Sequence, residues 1–124
     1  MTDATTARSL SILVVDNDTD SADSLALLLE HWQHRVCVAY DGTHAIEVFR
    51  RQHPSLVLLD IGLPDIDGYE VARALKREEH TATLVALTGF SDEGNRRASA
   101  EAGFDRHFVK PVDLQRLREL LASV

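Results

Sequence analysis

Three apolar runs and one short strand in this 124-residue chain end on side chains able to handle phosphate or a metal ion. Ile12-Leu13-Val14-Val15 runs into Asp16, Leu56-Val57-Leu58-Leu59 into Asp60, Leu84-Val85-Ala86-Leu87 into Thr88, and His107-Phe108-Val109 into Lys110. Asp60 is the most informative, because the Gly- and Pro-bearing stretch Ile61-Gly62-Leu63-Pro64-Asp65-Ile66-Asp67-Gly68 follows at once and offers its carboxylate at a sheet edge. Two carboxylates converging there repel each other, so one must be protonated or a cation must sit between them. An acidic, oxygen-lined nook beside a hydroxyl and an ammonium suits Mg²⁺ and a phosphoryl group. Carboxylates commonly hold the ion while water and phosphate oxygens complete its octahedron. Thr88 could donate to one phosphoryl oxygen and Lys110 pair with another. Asp60 would then be the nucleophile, attacking phosphorus in line to form an aspartyl phosphate. Taken singly, each residue has a plainer reading as a cap, a turn residue or a solvated lysine. Their joint placement after four strands carries the argument.

The elements that must position them follow from the spacing of apolar residues. Asp18-Thr19-Asp20-Ser21 supplies cap types before a helix whose Leu25, Leu28, Leu29 and Trp32 share one face, with Leu27 off it. A strand near Arg35 to Ala39 leads to Asp41-Gly42, after which Ala45, Ile46, Val48 and Phe49 mark a short helix ending before Pro54. Tyr69, Val71, Ala72 and Leu75 mark a third helix. Ser91 to Ala102 reads as a polar fourth helix closed by Gly103, and Leu114, Leu117, Leu120 and Leu121 give the last its buried stripe. Strands that are apolar without alternation, each followed by a helix, predict a parallel sheet covered on both faces by right-handed crossovers, a doubly wound α/β sandwich. Ligands of such folds collect beyond the carboxyl ends of the strands, where positions 16, 60, 88 and 110 fall.

Size and composition bound the rest. The length suits one domain, and 44% hydrophobic with 27% charged residues is ordinary globular usage. We expect residues 1–8 to be a flexible stub and 9–124 the folded domain, without room for an output domain. A net charge of -7 disfavours nucleic acid and anionic membranes as partners. No apolar stretch reaches the roughly 20 residues of a membrane span, and Met1 to Arg8 lacks a signal-peptide core, so a cytoplasmic location is expected. Cys37 is the sole cysteine and reads as a buried strand thiol. His31, His34, His44, His53 and His80 share no metal-ligand spacing and read as surface residues.

Four ordered segments resemble one family. Ile12 to Asp16, Leu58-Leu59-Asp60-Ile61-Gly62-Leu63-Pro64 with Asp67-Gly68, Ala86-Leu87-Thr88-Gly89 and Phe108-Val109-Lys110-Pro111 together look like the receiver domain of two-component response regulators, over roughly Ser9 to Ala122. They are most similar to receivers attached to hybrid histidine kinases. The resemblance implies a (βα)5 flavodoxin-like sandwich of five parallel strands in the order 2-1-3-4-5. It also implies that Asp60 accepts phosphate from a histidine kinase or a histidine phosphotransfer protein, that Thr88 senses the phosphoryl group, and that Lys110 contacts it. Mg²⁺ would be held by Asp16, Asn17, Asp60 and the carbonyl of Gly62. The bond between Lys110 and Pro111 would be cis. Such a domain catalyses only its own phosphorylation and dephosphorylation and turns over no metabolite. Asp20, Ser21 and Ser24 are candidates for partner pairing. Output or homodimer contact is expected through the fourth helix, fifth strand and fifth helix, where Arg96-Arg97 reads as a solvated face.

Two positions depart from the family pattern. Asn17 stands where a second acid is usual, which removes a negative charge and predicts weaker Mg²⁺ binding and slower phosphorylation. Asp18 reads as the cap of the first helix rather than its replacement. His107 occupies a position where Tyr or Phe is common; we read it as a solvated ring on an edge strand, the alternative being a rotamer switch with pH sensitivity. Gly62 and Phe90 offer no polar side chain to orient an attacking water, so slow self-dephosphorylation is expected. Two other readings compete. One is a degenerate receiver acting by contact without phosphorylation. The other is a haloacid-dehalogenase-like phosphatase suggested by Asp16-Asn17-Asp18, against which stand Asp20 in place of Thr or Val and the lack of a second acidic motif after a late strand.

Overall fold

Five short strands carry the interior, and each owes its place to side chains that water excludes on both faces. The computed structural model describes residues 9–63, 65–78, 81–89 and 101–124. In chain order the elements are β1 (Ser11–Val15), α1 (Thr19–His31), β2 (Arg35–Ala39), α2 (Gly42–Gln52), β3 (Leu56–Asp60), α3 (Gly68–Arg77), β4 (Thr83–Thr88), β5 (Arg106–Val109) and a C-terminal helix (Leu114–Ser123). The strands lie in the order β2-β1-β3-β4-β5, all parallel, which is the expected 2-1-3-4-5 arrangement. Central β3 is buried at every position, whereas β5, at an edge, exposes Arg106 and Val109.

Alternation along the strands divides the core in two. Leu13, Val15, Val57, Leu59, Leu84 and Ala86 face α2 and α3, meeting Val48, Phe49, Val71 and Leu75. Ile12, Val14, Leu56, Leu58, Val85 and Leu87 face α1 and the C-terminal helix, meeting Ala22, Leu29, Leu117 and Leu121. Burying one such Leu or Val contributes about 1.5–3 kcal/mol, so these two layers dominate the driving force. Helices α1, α2, α3 and the C-terminal helix are each capped by an aspartate, Asp18, Asp41, Asp67 and Asp113, whose carboxylate accepts from a first-turn N–H. A cap of this kind contributes about 1 kcal/mol. Asp18 therefore does the capping job expected of it.

Several side chains depart from the sequence expectation. The face that α1 buries completely is Ala22, Ala26 and Leu29, with Leu25 and Trp32 packed at its margin and Leu28 half-buried. Small alanines let the helix approach the sheet closely. Leu114 is 49% exposed, because it is the first residue after the Asp113 cap and lies beside a surface groove. Cys37 is half-buried rather than buried, since β2 is the other edge strand. His34 is not a free surface ring: its Nδ1 accepts from the amide of Leu10 at 3.1 Å. His44 is half-buried as well. Glu101 and Ala102 are helical and Gly103 follows with φ of 107°, as a C-terminal cap requires. The rest of the expected fourth helix, including Arg96 and Arg97, lies outside the described residues, as do Pro64, His80, Phe90 and residues 1–8.

At the amino ends of the strands, polar groups serve the backbone. Ser55 donates from both its amide (2.8 Å) and its hydroxyl (3.2 Å) to the carbonyl of Ser11. Asp105 accepts from the amide of Leu84 at 2.8 Å while its own amide donates to the Leu84 carbonyl at 2.7 Å. Away from the strand ends, the guanidinium of Arg118 lies 4.9 Å from the centre of the Trp32 ring and ties the C-terminal helix to the end of α1.

Candidate functional site

Register brings the acids together. β1 and β3 are neighbours with Val15 opposite Leu59, so the chains emerge side by side and place Asp16 next to Asp60. On the other side of β3, Asp60 pairs with Leu87, which sets Thr88 one residue further out on β4, and Thr88 in turn pairs with Val109 on β5. Among the described residues the buried polar or charged side chains are these three: Asp16 at 3% exposure, Asp60 at 9% and Thr88 at 7%. Burying carboxylates is unfavourable unless they are paired and hydrogen-bonded, so their location marks a site under a constraint other than stability.

Lys110 supplies the pairing. Its Nζ lies 2.9 Å from Asp16 Oδ2 and 3.0 Å from Asp60 Oδ2. The backbone amide of Lys110 donates to the Thr88 carbonyl at 2.6 Å, which anchors the lysine at this strand end. The Lys110–Pro111 peptide is cis, as the resemblance implies. The other oxygen of each acid takes a backbone N–H: Asp18 donates to Asp16 Oδ1 and Gly62 to Asp60 Oδ1, both at 3.0 Å. Each carboxylate is thus gripped by one amide and one shared ammonium, and the cation required between the acids is the lysine itself. Burial raises the pKa of Asp16, and the neighbouring Asp60 adds to it, against the opposing hydrogen bonds from Asp18 and Lys110. For Lys110 burial works downward, but the hydrogen bonds to Asp16 and Asp60 prevail and hold the ammonium above its usual range.

The structure brings Asp16, Asp60 and Lys110 into direct contact and sets Thr88 beside them at the end of the adjoining strand. Asn17 is exposed next to Asp16. Gly62 lies against the phosphoacceptor candidate, and a Cβ there would meet Asp60 Oδ1 at 3.7 Å. Among the described residues no three His, Cys, Asp or Glu side chains gather into a metal cage. The donor set is therefore two carboxylates supplemented by neutral oxygens, which are the hard ligands Mg²⁺ takes. These residues fit that ion.

Two residues were misread or missed from the sequence. His107 is half-buried and not a solvated ring: β5 pairs with β4, and its Nε2 lies 3.2 Å from Thr88 Oγ1 on that neighbouring strand. Asp65 read as a loop residue, yet its carboxylate accepts from the amides of Gly42 and Thr43 and from the Thr43 hydroxyl, at 2.9, 3.0 and 2.9 Å. Neither contact leaves a sequence signal, since each joins residues on separate elements.

Beside the acids runs a groove of about 600 Å³ between α1 and the segment after β5. Asp20, Ser21 and Ser24 line its polar rim, and Leu25, Leu28, Leu87 and Val112 its apolar floor.

Comparison with known proteins bears on this arrangement. Residues 12–122 match the response regulator receiver domain. The chain is 36% identical over 113 residues to a probable transcriptional regulator ycf27 of Porphyridium aerugineum, covering 91% of this chain and 47% of that protein. It thus spans about half the length of this curated relative. A CheY-like response regulator receiver domain protein from Methanospirillum hungatei superposes with a TM-score of 0.84 at 28% identity, covering 94% of this chain and 96% of the other. The fold is also shared by the receiver domain of Saccharomyces cerevisiae Ssk1, solved with the histidine phosphotransfer protein Ypd1, with a TM-score of 0.85 at 20% identity over 92% of this chain and 87% of that one.

Proposed function

This chain belongs to the response regulator receiver domain family, and from that membership we propose that Asp60 is its phosphoacceptor, with Asp16, Thr88 and Lys110 completing the reacting site. The observation that carries the reading is the Lys110 ammonium bridging two buried carboxylates at adjacent strand ends. As a phosphoacceptor signalling domain, it takes its phosphoryl group from a phosphohistidine: the P–N bond breaks as an Asp60 oxygen bonds to phosphorus, and the imidazole leaves. Asp60 Oδ2, now held by Lys110, becomes available as the ammonium turns to a phosphoryl oxygen, while Gly62 N–H keeps the other oxygen in place. Thr88 donates its hydroxyl to a second phosphoryl oxygen. His107, already in contact with that hydroxyl, is the group displaced or reoriented when it does so.

Asp16, Asp60, the amide oxygen of Asn17 and the carbonyl of Gly62 would hold Mg²⁺, which when bound neutralises charge developing on the phosphoryl oxygens. The donor is a histidine kinase or a histidine phosphotransfer protein. The groove along α1 supports this, offering an apolar floor for a partner helix and a rim of Asp20, Ser21 and Ser24 within reach of the acids. Exposed Val109 on β5 and the C-terminal helix are the face left for an output contact. No helix among the described residues is long and apolar enough to cross a membrane, and we place the domain's action in the cytoplasm. It turns over no metabolite and dephosphorylates itself slowly, since Gly62 offers no side chain to orient water.

The test is incubation with Mg²⁺ and acetyl phosphate followed by intact-mass measurement. One phosphoryl group on the natural protein and none on Asp60→Ala is the expected result. No gain on either overturns phosphoacceptance in favour of a receiver that works by contact alone, and a phosphorylated form that decays within seconds overturns slow self-dephosphorylation.

A further inference from the structure

We infer that Asp65 is a positioning residue for the phosphoacceptor loop, holding Gly62 against Asp60 by tethering the segment after β3 to the start of α2. The inference rests on the proposed role of Asp60 and Gly62. Asp41 caps α2 from within its own segment, accepting from the His44 amide at 2.8 Å. The amides of Gly42 and Thr43 are taken by Asp65 instead, one per carboxylate oxygen, and the Thr43 hydroxyl adds a third bond. These bonds hold the Asp65 carboxyl far below the ordinary carboxylate range, the Gly42 amide being the largest cause. A charge accepting three hydrogen bonds at a helix start resists being pulled away.

The tether has somewhere to transmit its hold. The Ile61 carbonyl accepts from the amides of Leu63 (3.0 Å) and Gly68 (3.1 Å), folding the segment back on itself. Contact is tight at both anchor points. A Cβ on Gly68 would sit 2.5 Å from Ile61 Cα, and one on Gly42 would sit 2.8 Å from Val71 Cγ2 and 3.1 Å from Ile66 Cβ. Between the anchors lies Gly62, whose amide fixes Asp60 Oδ1 and whose carbonyl is the proposed ion ligand. Supporting contacts of this type commonly set how well a metal ligand is oriented.

The experiment compares Asp65→Ala with Asp41→Ala, which removes a carboxylate from the same helix end but spans no loop. Both should lower the melting temperature by similar amounts. Only Asp65→Ala should speed hydrogen exchange at the Gly62 amide and raise half-saturating Mg²⁺ by about tenfold, with Asp41→Ala within twofold of the natural protein on both. Asp65→Asn, which keeps one acceptor oxygen, should fall between, and it serves as the readable variant where Asp65→Ala does not fold. Equal exchange and equal Mg²⁺ response in the two alanine variants, or no change in the Asp65 variants, overturns the inference. The exchange measurement needs neither ion nor phosphate, so it decides the tether even where the natural protein fails to bind Mg²⁺ or to be phosphorylated, which would count against the proposed function alone.

Discussion

The two ends of the sheet use polar side chains in opposite ways. At the amino ends, Ser55, Asp105 and His34 each meet a backbone group and close a connection. At the carboxyl ends, Asp16, Asp60 and Lys110 meet one another, and the backbone contributes only the amides that aim them. One end spends its polarity on the fold. The other keeps charge in a place where neutral packing would be easier, since a buried ion cluster offsets its desolvation only in part. The contrast teaches that removing a polar group should harm stability at one end and chemistry at the other.

The sharpest break comes from Asp60→Asn. Phosphorylation by acetyl phosphate, read by intact mass, should vanish, while the melting temperature holds or rises because a like charge beside Asp16 has gone. At the opposite end, Asp105→Ala leaves the Leu84 amide without its acceptor and should destabilise by about 2 kcal/mol in urea titration, with the phosphorylation rate unchanged. Loss of phosphorylation there, or of stability in Asp60→Asn, would dissolve the contrast.

Smaller effects refine it. Asn17→Asp restores a charge to the site and should lower half-saturating Mg²⁺ by about tenfold, roughly 1.4 kcal/mol, by calorimetric titration; equal affinities would mean that the amide is no handicap. The smallest expected effect is a pH dependence centred on His34. Burial lowers its pKa from 6.5, so its contribution is fully present above that value and is lost as pH falls through the lowered folded value. Melting temperatures measured from pH 7.5 downward should decline in the natural protein and decline less in His34→Gln.

The end that carries the acids was the more legible of the two from the sequence. Apolar runs stopping on Asp16, Asp60, Thr88 and Lys110 announce strand ends, and parallel packing leaves few other places for such ends to go. Contacts that depend on how separate elements are set against each other were not legible. The close approach of α1 through Ala22 and Ala26 was overlooked because alanine carries little hydrophobic weight in a helical stripe. Leu114 fitted the stripe of the last helix but sits at its first residue, where the groove and not the core is its neighbour. His107 was misread because an edge strand suggests solvent, although its ring lies against Thr88 on the neighbouring strand. The role of Asp65 depends on α2 beginning beside the loop, which no local pattern encodes.

The stacking of Arg118 on Trp32 has a practical corollary. Trp32 is the sole tryptophan, and it lies just past the far end of α1, a 13-residue helix and hence about 20 Å along its axis from the acids. Its emission should therefore register separation of the C-terminal helix from the end of α1 while staying nearly blind to events at Asp60. The expected outcome is an optical gauge of integrity that stays quiet toward events at the acids.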